Sequence, residues 1–237
     1  MIHIVTADNR GLYAREFERI AELLGGESPQ REGLTAGAGS LHVLSLDGWG
    51  APEFICRLDR TDVACALAER APQLVAAGAE TIRGPAVWER TRVFAAPGLC
   101  GPEPESRRRC GELRLAILEE ARERGIERIV EAAPCNRIVE TLRCGWWVSF
   151  LGLPGELDGV PVVAVEIDAS AEATADLRER LAAGPSRRLH LKAGETPWSA
   201  SPKEIETFLE AAQQLDSSKL QPLLVALRAA VADDADS

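Results

Sequence analysis

The order in which strand-like and helix-like hydrophobic patterns follow one another constrains the fold of this chain most strongly. The chain begins with one strand and one helix and continues with antiparallel strands. A strand, a helix, a strand, a helix and two further strands follow, up to Ile167. This order predicts a mixed, mostly antiparallel sheet flanked by helices in one α/β layer domain. The predicted strands are Met1–Thr6, Leu41–Leu46, Glu53–Leu58, Val87–Ala95, Glu127–Ala132, Trp146–Leu153 and Val160–Ile167.

Capping and turn signals place the boundaries between these elements. Polar caps are expected to start three of the helices, at Asp8 or Asn9, at Thr61 or Asp62, and at Ser106. The last of these helices is long and amphipathic and is expected to stop at Arg124-Gly125. Between the final two strands, Leu157-Asp158-Gly159 predicts a tight hairpin. Residues Glu27–Ser40, rich in Gly, Ser, Pro and Ala, are predicted to form a loop.

The sequence changes character at Ala169, after which only helices are predicted. Residues 1–169 are expected to form the α/β domain, and residues 170–237 a helical extension with a disordered acidic tail. The helices of this extension are predicted at Ala171–Ala182, Pro202–Leu215 and Ser217–Ala232. The apolar faces of the last two suit either packing on the parent domain or a dimer seam, and both alternatives stay open.

Composition excludes several classes of partner. With 27 basic and 37 acidic residues the chain has a formal net charge of −10, which argues against nucleic acid as the main partner. No run of about 18 apolar residues is present, so no membrane partner is expected. The segment Met1–Arg10 lacks the basic and apolar regions of a signal peptide, which predicts a cytoplasmic protein.

The six cysteines do not form a metal-binding pattern. None belongs to a C-x-x-C pair, and only three histidines are available to supplement them, so no metal site is predicted. In a reducing compartment such thiols are expected to be small, buried, apolar side chains.

The most informative segment for chemistry is the predicted strand Val87–Ala95. In a regular strand Trp88 and Arg92 share one face, whereas Glu89 lies on the other. A β-bulge at this place would re-aim these side chains, as bulges often do beside active sites. The alternatives are that Glu89 and Arg92 are surface residues of an edge strand, or that they belong to a catalytic site.

Three consecutive arginines precede a glycine at the start of the long helix. Backbone N–H groups at a helix N-terminus, together with arginines, suit a phosphate or pyrophosphate, and a glycine allows close approach of a ligand to the backbone. Arg108, Arg109 and Gly111 are therefore candidate substrate-binding residues. The alternative is a solvated basic turn.

Several motifs together resemble the acyl-homoserine-lactone (autoinducer) synthase family. They are Val87-Trp-Glu-Arg-Thr-Arg92, Arg57 within Ile-Cys-Arg-Leu, Glu131-Ala-Ala-Pro, Gly145-Trp-Trp, and the stretch from Leu151 to Glu166. The resemblance covers Leu41–Asp168 well and Met1–Phe17 more loosely.

The resemblance implies a fold similar to the GNAT-type acetyltransferases and an acyltransferase activity in quorum-sensing signal synthesis. Family members transfer an acyl chain from acyl carrier protein, or in some cases acyl-CoA, to the amine of S-adenosylmethionine, and lactone closure then releases methylthioadenosine. Thioester and adenosylmethionine are both substrates, so no permanently bound cofactor is implied. Two alternatives stay open: acylation of another small-molecule amine, and an inactive relative that binds a carrier protein or other partner.

The resemblance also implies roles for individual residues. Glu89 matches the strand glutamate of the family, a candidate to deprotonate the amine directly or through water. Arg92 and Arg57 match its two arginines, which are expected to orient carboxylates or lock the active-site sheet. Backbone N–H groups at a splay or bulge near Glu89–Val93 are expected to stabilise the oxyanion.

Large apolar residues near the predicted site are candidate walls for the acyl chain. The candidates for this role are the apolar faces of Val130, Trp146, Val148 and Phe150. Trp88 is expected to line a hollow together with Glu89 and Arg92. Ordinary core packing is the alternative interpretation for each apolar residue.

The N-terminal part departs from the family pattern. Between the first helix and the second strand, family members carry an Arg-x-x-x-Phe helix, a Trp and an acidic cluster that bind S-adenosylmethionine. Residues 21–40 of this chain contain no Trp, Asp or Phe. Arg15 or Arg19 could replace the arginine, with Phe17 nearby. The part that binds adenosylmethionine is therefore predicted to be shortened or lost.

Overall fold

The computed structural model describes residues 2–25, 34, 39–47, 50–99, 101, 103–143, 145–184, 186 and 188–191. The strands are β1 (Ile2–Val5), β2 (Leu41–Leu46), β3 (Pro52–Arg60), β4 (Val87–Ala95), β5 (Arg128–Pro134), β6 (Val148–Phe150), β7 (Gly155–Leu157), β8 (Val160–Asp168) and β9 (Arg188–Leu189). The helices are α1 (Ala14–Leu23), α2 (Ala66–Arg70), α3 (Pro104–Glu123), α4 (Ile138–Arg143) and α5 (Ala171–Arg180).

The described strands form one sheet in the order β6-β8-β5-β4-β3-β2-β1-β9, and β7 also pairs with β8. Among the pairings of these strands, β4–β5 and β1–β9 are parallel. The others are antiparallel. The predicted mixed, mostly antiparallel sheet is therefore confirmed.

Helices cover both faces of this sheet. On one face α3 and α5 pack over a core that includes Trp88, Ile129 and Leu177. On the other face α1 covers β1–β3, and α2 with the turns that follow it covers β4, β5 and β8. No helix among the described residues has both the length and the apolar character needed to cross a bilayer.

The predictions for β4 and for the last hairpin are confirmed. β4 spans Val87–Ala95 as predicted. In the hairpin between β7 and β8, Asp158 and Gly159 have φ of 52° and 76°. These positive values match a two-residue turn whose twist follows that of the strands.

No predicted cap makes a capping hydrogen bond, and only the first has the predicted position. Asn9 is the N-cap of the turn Arg10–Tyr13 that leads into α1, but its side chain has other partners. Asn9 joins β1 to the C-terminal segment, donating to the carbonyls of Ile4 and Leu191. Thr61 donates to the carbonyl of Val87 at 2.9 Å, and α2 begins only after Cys65. The long helix α3 begins after Glu103, so Ser106 lies within its first turn.

Several predictions lie outside the described residues. They concern the helices Pro202–Leu215 and Ser217–Ala232, the acidic tail, and most of the loop Glu27–Ser40. The division at Ala169 stays a prediction. The described helix α5 packs on α3, and both belong to the compact unit Met1–Ala193.

The interpretation of the cysteines as small buried side chains holds for two of them. Cys56 and Cys65 are buried and belong to no disulfide, whereas Cys135 is only partly buried. Cys110 is disulfide-bonded, so the interpretation is wrong at that position.

Candidate active site

The strands β4 and β5 run side by side for only three residues. Their parallel ladder joins Val87–Glu89 to Arg128–Val130, although β4 continues to Ala95 and β5 to Pro134. Beyond Glu89 and Val130 the strands part, and we call this point the fork. Among the described strands, nothing pairs with the facing edges of β4 and β5 beyond the fork. Backbone groups on such edges are available to an extended ligand.

A β-bulge follows on β4. Its pairing with β3 is regular from Trp88 to Arg92 and then passes over Val93, so that Phe94 faces Ile55. The predicted bulge is therefore present, but it lies beyond Arg92 and leaves the alternation from Glu89 to Arg92 intact. The side chain of Arg92 lies outside the described residues, and its role stays a prediction.

Glu89 lies at the fork and is buried, with 6% of its surface exposed. The backbone N–H of Ala66 donates to Oε2 at 2.5 Å, and that of Leu67 donates to Oε1 at 2.7 Å. Burial raises the pKa of Glu89, and the two backbone hydrogen bonds oppose this rise without cancelling it. A carboxyl with a raised pKa is a stronger proton acceptor than an exposed one.

Arg57 lies on the same sheet face as Glu89, and Asp59 lies between them. Asp59 faces Glu89 across the β3–β4 ladder, and its Oδ2 accepts a hydrogen bond of 2.7 Å from Arg57 Nε. The hydroxyl of Ser40 donates to the other oxygen of Asp59. We call Arg57, Asp59 and Glu89 the acid–base row. Asp59 was not among the predicted site residues, because the predicted strand ended at Leu58. β3 continues to Arg60, and in it the spacing of two places Asp59 on the same face as Arg57.

A cation–aromatic pair lies on the same face next to the acid–base row. The guanidinium carbon of Arg10 lies 4.0 Å from the centroid of the Phe17 ring, and Phe17 meets His42 edge to face. His42 is in turn the register partner of Arg57. Arg15 and Arg19, which the sequence suggested for this position, are exposed. The arginine beside Phe17 is therefore Arg10, which precedes α1.

The candidate phosphate-binding residues already have protein partners. The exposed Arg108 forms ion pairs with Glu105 and Glu112 on its own helix. Arg109 forms an ion pair with Glu53 on β3. A phosphate would have to compete with these carboxylates, and the role of both arginines in binding stays a prediction.

Gly111 is buried where α3 packs against the end of α5. A Cβ at this position would overlap the side chain of Leu181. Close packing therefore accounts for the glycine, and its predicted role in ligand approach stays a prediction.

Trp88 and Phe150 do not lie with Glu89. Trp88 is buried under α3 on the opposite face of β4. Phe150 is 56% exposed on β6. The structure thus brings Arg57 and Glu89 together, but it does not gather Trp88 and Glu89 around one hollow.

On the α3 face of the fork, a buried ion pair joins the two strands. Arg90 Nε donates to Glu131 Oε2 at 2.7 Å, and both side chains are buried. The guanidinium carbons of Arg90 and Arg114 lie 4.7 Å and 4.8 Å from a ring centroid of Trp146. We call these four residues the fork cluster. Arg114 was not among the predicted site residues, because only the packing of α3 brings it to the fork.

Comparisons with known proteins identify solved structures with a similar fold. No protein-family model matches the sequence, and no curated protein matches it significantly. Among solved structures, the CoA-dependent acyl-homoserine lactone synthase BjaI, with SAM and isopentyl-CoA, has a TM-score of 0.62 at 20% identity over 81% of this chain and 93% of BjaI.

Two further structures agree. The CoA-dependent acyl-homoserine lactone synthase MesI has a TM-score of 0.60 at 24% identity over 79% of this chain and 98% of MesI. TofI in an apo form has a TM-score of 0.56 at 25% identity over 78% of this chain and 98% of TofI. The chain therefore has the fold of the acyl-homoserine lactone synthases, as its motifs predict.

Proposed function

We propose that this chain is an acyltransferase of the acyl-homoserine lactone synthase type, which moves an acyl group from a thioester to the amine of S-adenosylmethionine. The observation that carries this proposal is the position of Glu89, a buried carboxyl with a raised pKa, at the fork between two parting parallel strands. Amine attack on a thioester needs a proton acceptor, which Glu89 supplies. The edges of β4 and β5 beyond the fork, which pair with no described strand, are the proposed site for the acyl donor.

The reaction follows from this arrangement. The amine nitrogen attacks the thioester carbonyl, Glu89 accepts the proton that the nitrogen loses, and the C–S bond breaks as the thiolate leaves. Backbone N–H groups of β4 near the bulge at Val93 supply donors for the oxyanion that forms during attack. The thiolate then takes up a proton, so that free thiol and amide are the products.

A CoA thioester is one donor that the comparisons support, because BjaI and MesI are CoA-dependent enzymes. Acyl carrier protein is the other proposed donor, and Arg108 and Arg109 on exposed turns of α3 are its proposed contacts. Both donors present the same thioester to the fork and differ in what lies outside it.

S-adenosylmethionine is the proposed acceptor, and the sheet face beside α1 is its proposed site. Arg10 Nη1 is buried and has no hydrogen-bond partner among the described residues, which suits the carboxylate of an amino acid. The acid–base row borders this region and brings Glu89 towards the amine. After acylation, the carboxylate oxygen of the substrate attacks its own γ-carbon, and the bond from that carbon to sulfur breaks to release methylthioadenosine.

Release of free thiol tests the proposal. Purified protein is mixed with a series of acyl-CoA substrates, with and without S-adenosylmethionine, and CoA is followed with a thiol reagent. We expect CoA release that depends on adenosylmethionine. Release that requires a different amine would identify an N-acyltransferase with another acceptor, whereas no release with any CoA or carrier-protein thioester would contradict acyl transfer and leave the inactive carrier-binding alternative.

A further inference from the structure

A buried thiol lies beside Glu89 and has no part in the reaction proposed above. Cys65 is 0% exposed, belongs to no disulfide, and is the residue that precedes α2. The two residues that follow it, Ala66 and Leu67, donate their backbone N–H groups to the two oxygens of the Glu89 carboxyl. The thiol therefore lies at the same end of α2 that holds this carboxyl.

Packing and hydrogen bonds fix the position of this thiol. Cys65 belongs to an apolar cluster that also contains Val130, the register partner of Glu89 on β5. Thr61 holds the turn before α2 on β4, because its hydroxyl and its backbone N–H both donate to the carbonyl of Val87, at 2.9 Å and 3.1 Å. Contacts with both strands of the fork thus keep the thiol next to the carboxyl.

The chemistry of this pair makes the thiol a hydrogen-bond donor. Burial, followed by the negative charge of Glu89, raises the pKa of Cys65 from 9.0 to about 11. Such a thiol keeps its proton at neutral pH, so its S–H group donates to the carboxylate of Glu89. The same features oppose a nucleophilic role, because a thiolate, and not a thiol, attacks a thioester.

The groups around Glu89 act on its ionisation in opposite directions. Burial and the carboxylate of Asp59 on β3 favour the protonated form, whereas the two backbone N–H groups of α2 and the Cys65 thiol favour the ionised form. Arg57 pairs with Asp59, and the charge of Arg83 acts on the Cys65 thiol against the effect of burial. On β5 the register partner of Glu89 is apolar. Among these donors, the thiol is the one that a side-chain substitution can remove.

We propose that Cys65 is a positioning residue for acyl transfer, whose S–H group is a third hydrogen-bond donor to Glu89 and holds the ionised carboxylate in place, so that transfer extends to lower pH. This inference rests on the proposed function and deepens it, because it adds a group that acts through the base. The thiol contributes without being acylated itself.

The test is a matched set of full-length variants, assayed over a range of pH for CoA release from hexanoyl-CoA with S-adenosylmethionine. The acid limb of kcat/KM reports the ionisation of Glu89 in the free enzyme. Cys65→Ala removes the donor, whereas Cys65→Ser keeps a donor that is stronger than a thiol. We expect the limb to move up by about 0.5–1 pH unit in Cys65→Ala and to stay at or below its wild-type position in Cys65→Ser.

A second thiol supplies the control. Cys56 on β3 is also 0% exposed, and it packs on the opposite face of the sheet with Trp88. Cys56→Ala should therefore leave the acid limb in place. A limb that does not move up in Cys65→Ala would overturn the inference, and so would an equal rise in the alanine and serine variants, since packing alone would then explain it. No CoA release by the wild-type protein from any thioester would instead contradict the proposed function.

Infrared spectroscopy tests the hydrogen bond without turnover. Subtraction of the Cys65→Ala spectrum isolates the S–H stretching band of Cys65, whose frequency falls when the thiol donates a hydrogen bond. We expect this band to move to higher frequency in Glu89→Gln, because a neutral amide accepts less strongly than a carboxylate. An unchanged band would overturn the inference.

Mass spectrometry tests whether the thiol reacts. Wild-type protein is incubated with hexanoyl-CoA, with and without S-adenosylmethionine, and its cysteine-containing peptides are analysed. We expect no hexanoyl group on Cys65, because the buried thiol keeps its proton. A hexanoyl group bound there during turnover would overturn the inference, since Cys65 would then be a nucleophile.

Discussion

The guanidinium of Arg90 and the carboxylate of Glu131 form a buried ion pair across the first two residues that follow the β4–β5 ladder. Their side chains are 2% and 7% exposed. The backbone hydrogen bonds between β4 and β5 end at Glu89 and Val130, and the next residues on the two strands are joined by this charge-assisted side-chain hydrogen bond. The width of the fork is therefore set by this pair as well as by the packing of α3.

Removal of one partner of this ion pair is expected to destabilise the protein strongly. Glu131→Gln leaves the Arg90 charge buried without its counter-ion, and we expect a loss of about 3–5 kcal/mol in the free energy of unfolding, measured in urea. Arg90→Met combined with Glu131→Leu should lose much less, because no unpaired charge stays buried. An unchanged urea midpoint in Glu131→Gln would contradict this interpretation. Asp158→Asn, which weakens the exposed pair with Arg70, serves as the control and should lose little.

Replacement of the carboxylate at the fork is expected to slow acyl transfer. Glu89→Gln cannot accept the amine proton, and we expect kcat/KM to fall by about 10²–10⁴. Glu156→Gln, an exposed substitution on β7, should leave the rate unchanged. Circular dichroism checks the fold, since Glu89 also accepts two hydrogen bonds from the start of α2. A Glu89→Gln enzyme with wild-type turnover would exclude this residue as the base.

The pH dependence of transfer follows from the direction of the Glu89 pKa. Only the deprotonated carboxyl accepts a proton, and burial raises its pKa above the usual 4.5. Transfer should therefore fall as pH drops through an ionisation that lies above 4.5. A profile of kcat/KM against pH checks this. A limb with a midpoint at or below 4.5 would show that the base has an ordinary or lowered pKa.

A methyl group at position 111 is expected to destabilise the protein. In an exposed helix interior, alanine stabilises by roughly 0.5–1 kcal/mol relative to glycine. Here the added Cβ overlaps Leu181, so we expect Gly111→Ala to lose about 1–3 kcal/mol. Leu181→Ala in the same chain should make room and reverse much of the loss attributable to Gly111→Ala. Normal stability of Gly111→Ala, combined with weaker binding of acyl-CoA, would favour the ligand contact predicted from the sequence.

Stability at mildly acid pH is expected to depend on His3. Its Nδ1 lies 3.1 Å from the Tyr13 hydroxyl, and burial lowers the pKa of His3 from 6.5 to about 4. Between these values the unfolded chain binds a proton that the folded chain does not, so stability is lost as pH falls from 6.5 towards 4. The loss should approach roughly 3 kcal/mol. His3→Gln should show a shallower decline in urea titrations, and an identical decline would contradict the assignment.

The parts of the fold that follow from local sequence were predictable. The alternation of side chains in β4, between Pro85 and Pro97, predicted both ends of that strand. Asp158-Gly159 predicted the turn between β7 and β8, because few residues tolerate positive φ. The strand predicted at Trp146–Leu153 is shorter, Val148–Phe150. Beyond its end, Gly152 passes Leu74 so closely that a Cβ on the glycine would overlap the Leu74 carbonyl.

The parts of the site that depend on distant contacts were not predictable. The first turn of α2 is bound by Glu89, which lies 23 residues from Ala66, and no local capping rule identifies such a partner. Arg10 contacts Phe17 because the turn Arg10–Tyr13 precedes α1. In an ideal helix, contacts join residues that are three or four positions apart, and these two residues are further apart in the sequence. The indole N–H of Trp146 has no acceptor among the described residues, and this can be recognised only in the structure, where its neighbours are known.

The products formed from an acyl-CoA and S-adenosylmethionine test the central proposal most directly. Mass spectrometry of the reaction mixture should find acyl-homoserine lactone and methylthioadenosine in equal amounts with the wild-type protein, and at least 100-fold less of both with Glu89→Gln. Neither product from any acyl-CoA or acyl-carrier-protein thioester, with a correctly folded wild-type protein, would contradict the proposal.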